Sequence, residues 1–91
     1  MAKKRERLEV IHDILMAMRD SGHTIKPTRL QYASNLSPQM FRDYVAELEE
    51  KGFIEMVLDK KSKKLYRITV KGLKFLEEYK VIVQFIDNFG L

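Results

Sequence analysis

Apolar residues recur at helical spacing near the start of the chain: Leu8, Ile11, Leu15 and Met18, with Val10, Ile14 and Ala17 beside them. Steps of three and four keep them on one side, so the pattern predicts a helix over roughly residues 4–20, ended by Ser21-Gly22. His23-Thr24-Ile25 reads as a short extended piece. Pro27 suits the first turn of a second helix, over about 27–34, where its missing N–H does no harm. Leu30 and either Ala33 or Ser34 point inward from that helix, and Asn35-Leu36-Ser37 makes a tight turn. Ser37 is a good N-cap and Pro38 follows at N1, so a third helix starts there. Its inward residues are Phe41, Tyr44, Val45 and Leu48, and Gly52 closes it as a left-handed residue.

The period then switches. Phe53–Leu58 and Leu65–Val70 read as strands. The polar run between them, DKKSKK at 59–64, joins them as a hairpin. Thr69 precedes a last helix over about 70–89. The order is helix, short strand, helix, turn, helix, strand, loop, strand, helix. That order predicts an α+β fold, a winged helix-turn-helix with three helices, a two-stranded wing and a C-terminal helix.

Ninety-one residues suit one compact domain. A core this small often gains stability by self-association. There is no cysteine, which removes disulfides, thiolate metal sites and cysteine nucleophiles. His12 and His23 have no metal-ligand companion at a useful spacing, and the four glycines make no phosphate loop. No cofactor, metal or enzymatic activity is expected. The opening MAKKRERLEV lacks the apolar run of a signal peptide, and Val81–Ile86 is too short and interrupted to span a bilayer. A cytoplasmic, nucleoid-associated location is expected, with no membrane partner.

The net charge of +4 is unevenly placed. Residues 59–74 hold seven basic groups against Asp59 alone, and Lys3, Lys4, Arg5 and Arg7 make a second basic cluster. Residues 8–58 hold five basic and eight acidic groups. Concentrated positive charge on an otherwise acidic body is the footprint of a polyanion-binding surface.

In a helix-turn-helix the second helix of the pair enters the major groove, led by its N-terminal residues. Ser37, Gln39, Met40, Arg42 and Asp43 are outward there. Arg42 can bond a guanine edge and Gln39 an adenine edge. Met40 can touch a thymine methyl, and Ser37 with the helix N-terminus can hold a phosphate. Asp43 can accept from cytosine N4, or pair with Arg42 or Lys26. Lys60, Lys61, Lys63 and Lys64 on the wing suit phosphate oxygens, which position a protein without reading sequence. Lys26 and Arg29, at the start of helix two, are further phosphate ligands, and the arm Lys3–Arg7 can reach a groove. The competing reading is ordinary solvated surface for the helix-three residues, a charged loop blunting an edge strand for the wing, a structural ion pair for Arg29, and a frayed end for the arm.

The last helix carries Phe75, Tyr79, Ile82, Ile86 and Phe89 at steps of 4, 3, 4 and 3, a heptad seam. Leu73, Leu76 and Val83 form a second apolar line, with Val81 and Phe85 adding more. One line is expected to pack on the domain and the other on a second copy of the chain, since the alternative exposes a large apolar patch. Residues 1–69 then form the DNA-binding domain, and 70–91 a dimerisation helix packed on it.

Three stretches, RLEVIHDIL, KPTRLQYASNLS and YRITVKGLKFLEEY, together resemble a family of archaeal winged-helix proteins. That family includes the ten-kilodalton chromatin-type DNA-binding proteins of Sulfolobus and the ArnR-like regulator domains. Its most specific matches are Pro27-Thr28-Arg29, Tyr32, Asn35-Leu36-Ser37, Thr69 and Lys71-Gly72. The resemblance implies DNA binding through the third helix and wing, and a homodimer built on the C-terminal helix. The seam here is only about 30 Å long at 1.5 Å per residue, shorter than the chromatin-type coiled coil. Three functions stay open on the residues. The first is a dimeric transcription regulator bound to double-stranded DNA, the second an architectural chromatin protein with weak sequence preference, and the third a winged-helix protein-interaction module.

Overall fold

The computed structural model describes residues 6–91. The elements are α1 (Arg7–Asp20), β1 (Thr24–Ile25), α2 (Pro27–Ser34), α3 (Pro38–Glu50), β2 (Ile54–Leu58), β3 (Lys64–Ile68) and α4 (Val70–Asn88). The basic arm before Glu6 lies outside the described residues. Arg7 itself is the first residue of α1 and pairs with Glu47 of α3.

Local chemistry ends the helices where the sequence indicates. At the end of α1 the His23 N–H donates to the Met18 carbonyl at 3.0 Å and the Gly22 N–H to Arg19 at 3.2 Å. The same pair of bonds closes α3, from Phe53 N–H to Leu48 at 2.9 Å and from Gly52 N–H to Glu49 at 3.1 Å. Both are Schellman closures, which require a left-handed residue after the C-cap, and Gly22 and Gly52 supply it at φ +80° and +79°. Asn35 ends α2 in the same region at φ +54°, a conformation asparagine tolerates. The Ser37 hydroxyl accepts from the Met40 N–H at 3.3 Å and starts α3.

The strands form one antiparallel sheet in the order β1-β3-β2. In the hairpin Ile54 faces Ile68, Met56 faces Tyr66 and Leu58 faces Lys64. The short piece at Thr24–Ile25 pairs with Arg67 and Tyr66, so the sheet has three strands and the wing springs from its two longer ones. Strand three stops at Ile68, earlier than the apolar pattern to Val70 predicts. Thr69 turns the backbone and caps α4 instead, accepting from the Gly72 N–H at 3.2 Å. Val70 is consequently a helix residue and is exposed.

Val10, Ile11, Ile14, Leu15 and Met18 of α1 form the centre of the core. Leu30, Phe41, Val45, Leu48, Ile54, Ile68 and Leu76 close around them. Ile14, Leu15 and Leu30 have no accessible surface, and each such side chain contributes about 1.5–3 kcal/mol relative to exposure. Leu8, expected in the α1 stripe, is exposed, because at about 100° per residue it falls at the edge of the buried arc centred on Ile14 and Met18. Of the two inward candidates on α2, Ser34 is buried, its hydroxyl donating to the Gln31 carbonyl at 2.8 Å, and Ala33 is exposed. No helix among the described residues is long and apolar enough to cross a membrane.

Candidate nucleic-acid interface

Because Phe41, Val45 and Leu48 turn inward, the first two turns of α3 present Gln39, Met40, Arg42 and Asp43 to solvent. Three of these side chains are linked. Gln39 donates through Nε2 to Asp43 Oδ1 at 2.9 Å, and Arg42 donates through Nη2 to Gln39 Oε1 at 3.0 Å. Asp43 is therefore partnered by Gln39, and not directly by Arg42 or Lys26 as the charge pattern suggests. Steps of three and four residues put Gln39 beside both, so its amide relays between an acid and a base. Met40 lies exposed beside them.

The wing is a closed loop. The Asp59 N–H donates to the Lys63 carbonyl at 2.9 Å and the Ser62 N–H to the Asp59 carbonyl at 3.0 Å. Ser62 is left-handed at φ +60°. This is a four-residue turn, residues 59–62, whose last residue is left-handed, a common way to join two antiparallel strands. The Asp59 carboxylate supports it: Oδ1 accepts the Lys61 N–H at 2.8 Å and the Lys63 N–H at 2.9 Å. Those bonds, from Lys63 foremost and then Lys61, hold the Asp59 carboxyl below its usual range. The side chains of Lys60, Lys61 and Lys63 are thereby displayed from an ordered backbone. Lys64, assigned to the loop by composition, is the first residue of β3 opposite Leu58.

Because β1 runs along β3, the residue after it lands next to the wing. Lys26, the N-cap of α2, lines a cleft of about 360 Å³ with Asp59, Lys60, Lys61 and Lys63. Arg29 is exposed one turn further along α2, outside that cleft. Two other bases of the cationic segment are engaged in the fold. Arg67 pairs with Glu55 directly across the hairpin, with Nε to Oε1 at 2.7 Å. Lys71 donates to the Lys51 carbonyl at 2.6 Å and sits 4.8 Å from the centroid of the Phe53 ring. The register and the α3–α4 junction set these interactions, and charge counting along the chain does not separate them from the wing lysines. The organising role of Asp59 is likewise absent from the sequence reading, although an aspartate opening a turn is a known signal.

The last helix divides along its length. Phe75 meets Phe53 edge-on at 5.6 Å and Tyr79 stacks on His12 at 4.4 Å. Burial pushes the Tyr79 phenol up, and Glu9, Asp13 and Glu6 add to the effect. These two seam residues therefore pack on their own domain, together with Leu73 and Leu76 of the second line. Beyond Lys80 every residue is exposed. Ile82, Ile86 and Phe89 of the seam are open, and so are Val81, Val83 and Phe85. The expected split of the two lines between opposite sides is replaced by a split between the two halves of the helix, since the domain body covers only the first half. At about 100° per residue, Val81, Ile82, Phe85, Ile86 and Phe89 share an arc turned roughly a third of a turn from Gly72 and Leu76, which face the core.

The family model described as winged helix-turn-helix matches residues 4–86. An uncharacterised protein of Methanocaldococcus jannaschii is 31% identical over 83 residues, which is 91% of this chain and 36% of that protein. The chain thus spans about a third of that relative's length. Among solved structures, Sso10a-2, a DNA-binding protein from Sulfolobus solfataricus, superposes with a TM-score of 0.74 at 22% identity, covering 93% of this chain and 85% of that one. The winged-helix DNA-binding protein F93 from STIV superposes at 0.72 with 18% identity, covering 89% and 92%.

Proposed function

The chain belongs to the winged helix-turn-helix family, and on that footing we propose that it binds double-stranded DNA as a homodimeric transcription regulator. One observation carries the reading. The exposed face of α3 and the ordered lysine wing stand on the same domain, with Lys26 bridging α2 to the wing. In the proposed complex α3 enters the major groove through Gln39, Met40, Arg42 and Asp43. Ser37, Lys26 and Arg29 hold phosphates, and Lys60, Lys61, Lys63 and Lys64 lie along the backbone or the minor groove. That the two similar solved structures are DNA-binding proteins supports the partner.

The homodimer rests on the second half of α4. Its apolar arc of Val81, Ile82, Phe85, Ile86 and Phe89 is exposed, and an exposed apolar patch of this kind marks an interface. Residues 70–91 thus serve both as a support for the domain and as the surface that pairs two copies. A dimer places two recognition helices on one duplex, so the preferred site is near-palindromic.

A specific observation favours a second reading, binding with weak sequence preference. Gln39 spends both ends of its amide on Arg42 and Asp43, so reading a base costs it internal bonds. Selection of bound duplexes from a random pool separates the two. Enrichment of a two-fold-related motif supports the regulator, and a flat pool supports the architectural role.

A further inference from the structure

Asp59 is the single acid among the eight charged residues of 59–74, and it lies on the cleft that the lysines form. A surface serving only to attract phosphate would gain by its removal. Its carboxylate is instead the acceptor for two of the wing's backbone N–H groups, 2.8 Å from Lys61 and 2.9 Å from Lys63. Bonded in this way, the loop turns back on itself and directs the lysine-bearing residues toward Lys26. An unsupported loop with four lysines in five residues would repel itself and sample many shapes, and ordering it on DNA would cost affinity.

We propose that Asp59 is a positioning residue for the DNA backbone: it folds the wing so that Lys26, Lys60, Lys61 and Lys63 surround one cleft for a phosphodiester, while its own charge weakens the grip. The two effects oppose each other, and they can be separated chemically. The inference rests on the duplex-binding reading given above.

Asp59→Asn and Asp59→Ala both remove the charge, but only asparagine keeps a side-chain oxygen to accept the two N–H groups. The full chain and both variants are titrated against a short fluorescein-labelled duplex at low salt. Asp59→Asn binds about threefold more tightly than wild type, since a like charge several ångströms from a phosphate is removed. Asp59→Ala binds about fivefold more weakly than Asp59→Asn, the cost of re-ordering about one loop residue on binding. Amide exchange without DNA reads the wing directly: Lys61 and Lys63 N–H groups are protected in wild type and in Asp59→Asn, and exchange quickly in Asp59→Ala. Equal affinities for the two variants, or unchanged exchange in Asp59→Ala, would overturn the proposal. Absence of duplex binding by wild type at low salt would overturn the duplex reading and this role with it, and the exchange pattern would then report wing order alone.

Discussion

The Thr69 hydroxyl donates to the Gly52 carbonyl at 2.6 Å, tying the cap of α4 to the glycine that ends α3. The same hydroxyl oxygen accepts the Gly72 N–H, and Lys71 caps the Lys51 carbonyl from the other side. This junction fixes the hairpin between α3 and α4. It also gives a physical reason for the Thr69, Lys71-Gly72 signature in the sequence.

Replacing Thr69 with alanine removes both the cap and the tie across to α3. The expected loss is about 1–2 kcal/mol of unfolding free energy by urea denaturation. Thr69→Ser keeps the hydroxyl and should retain most of it.

Gly72→Ala should cost more. A Cβ there would lie 2.5 Å from the Phe53 carbonyl oxygen and 2.7 Å from Ile68 Cγ1. The first neighbour is backbone held by the α3–α4 junction, so α4 must shift bodily. Overpacking of this sort costs about 1–3 kcal/mol, and the midpoint of thermal unfolding should fall by several degrees.

Local features are legible in the sequence because local chemistry decides them. The Ser37 cap, the Pro38 start and the Gly52 closure are each set within four residues. The pairing of Thr24 with Arg67 joins residues far apart in the chain through a strand too short to show alternation. That pairing brings Lys26 to the wing, so the cleft is not visible from spacing. Likewise the steps of α4 are the same from Phe75 to Phe89, and periodicity does not say where the domain body ends. The stack of His12 on Tyr79, which only the fold brings about, marks the last turn that carries a half-buried residue.

Protonating Asp59 should weaken the two bonds that support the wing without removing their acceptor. Hydrogen bonds from the Lys63 and Lys61 amides lower its carboxyl from the ordinary 3.8. A carboxyl depressed on folding adds stability above the unfolded value, and that stability is lost as pH falls through the lower, folded one. An NMR titration of the side-chain carbon should find its midpoint below 3.8, with the Lys61 and Lys63 amide resonances shifting over the same pH range as their acceptor loses its charge. A midpoint at or above the ordinary value would show that the two bonds do not hold the charge.

The second half of α4 should control assembly and not folding. Ile82→Asp combined with Phe89→Asp alters only exposed side chains, so far-UV circular dichroism should keep its shape. Sedimentation equilibrium should find a dimer for wild type and a monomer for the variant. A wild type that stays monomeric at high micromolar concentration would remove the dimer from the account.

The central claim, that the lysine wing and α3 grip a DNA duplex, is tested most directly by fluorescence anisotropy of a labelled duplex across a salt series. Wild type should bind at low salt, with log affinity falling linearly against log salt. Replacing Lys60 and Lys63 with alanine should reduce that slope by about 1.8, at roughly 0.9 for each phosphate no longer neutralised. No binding at low salt, or a slope that the two substitutions leave unchanged, would contradict it.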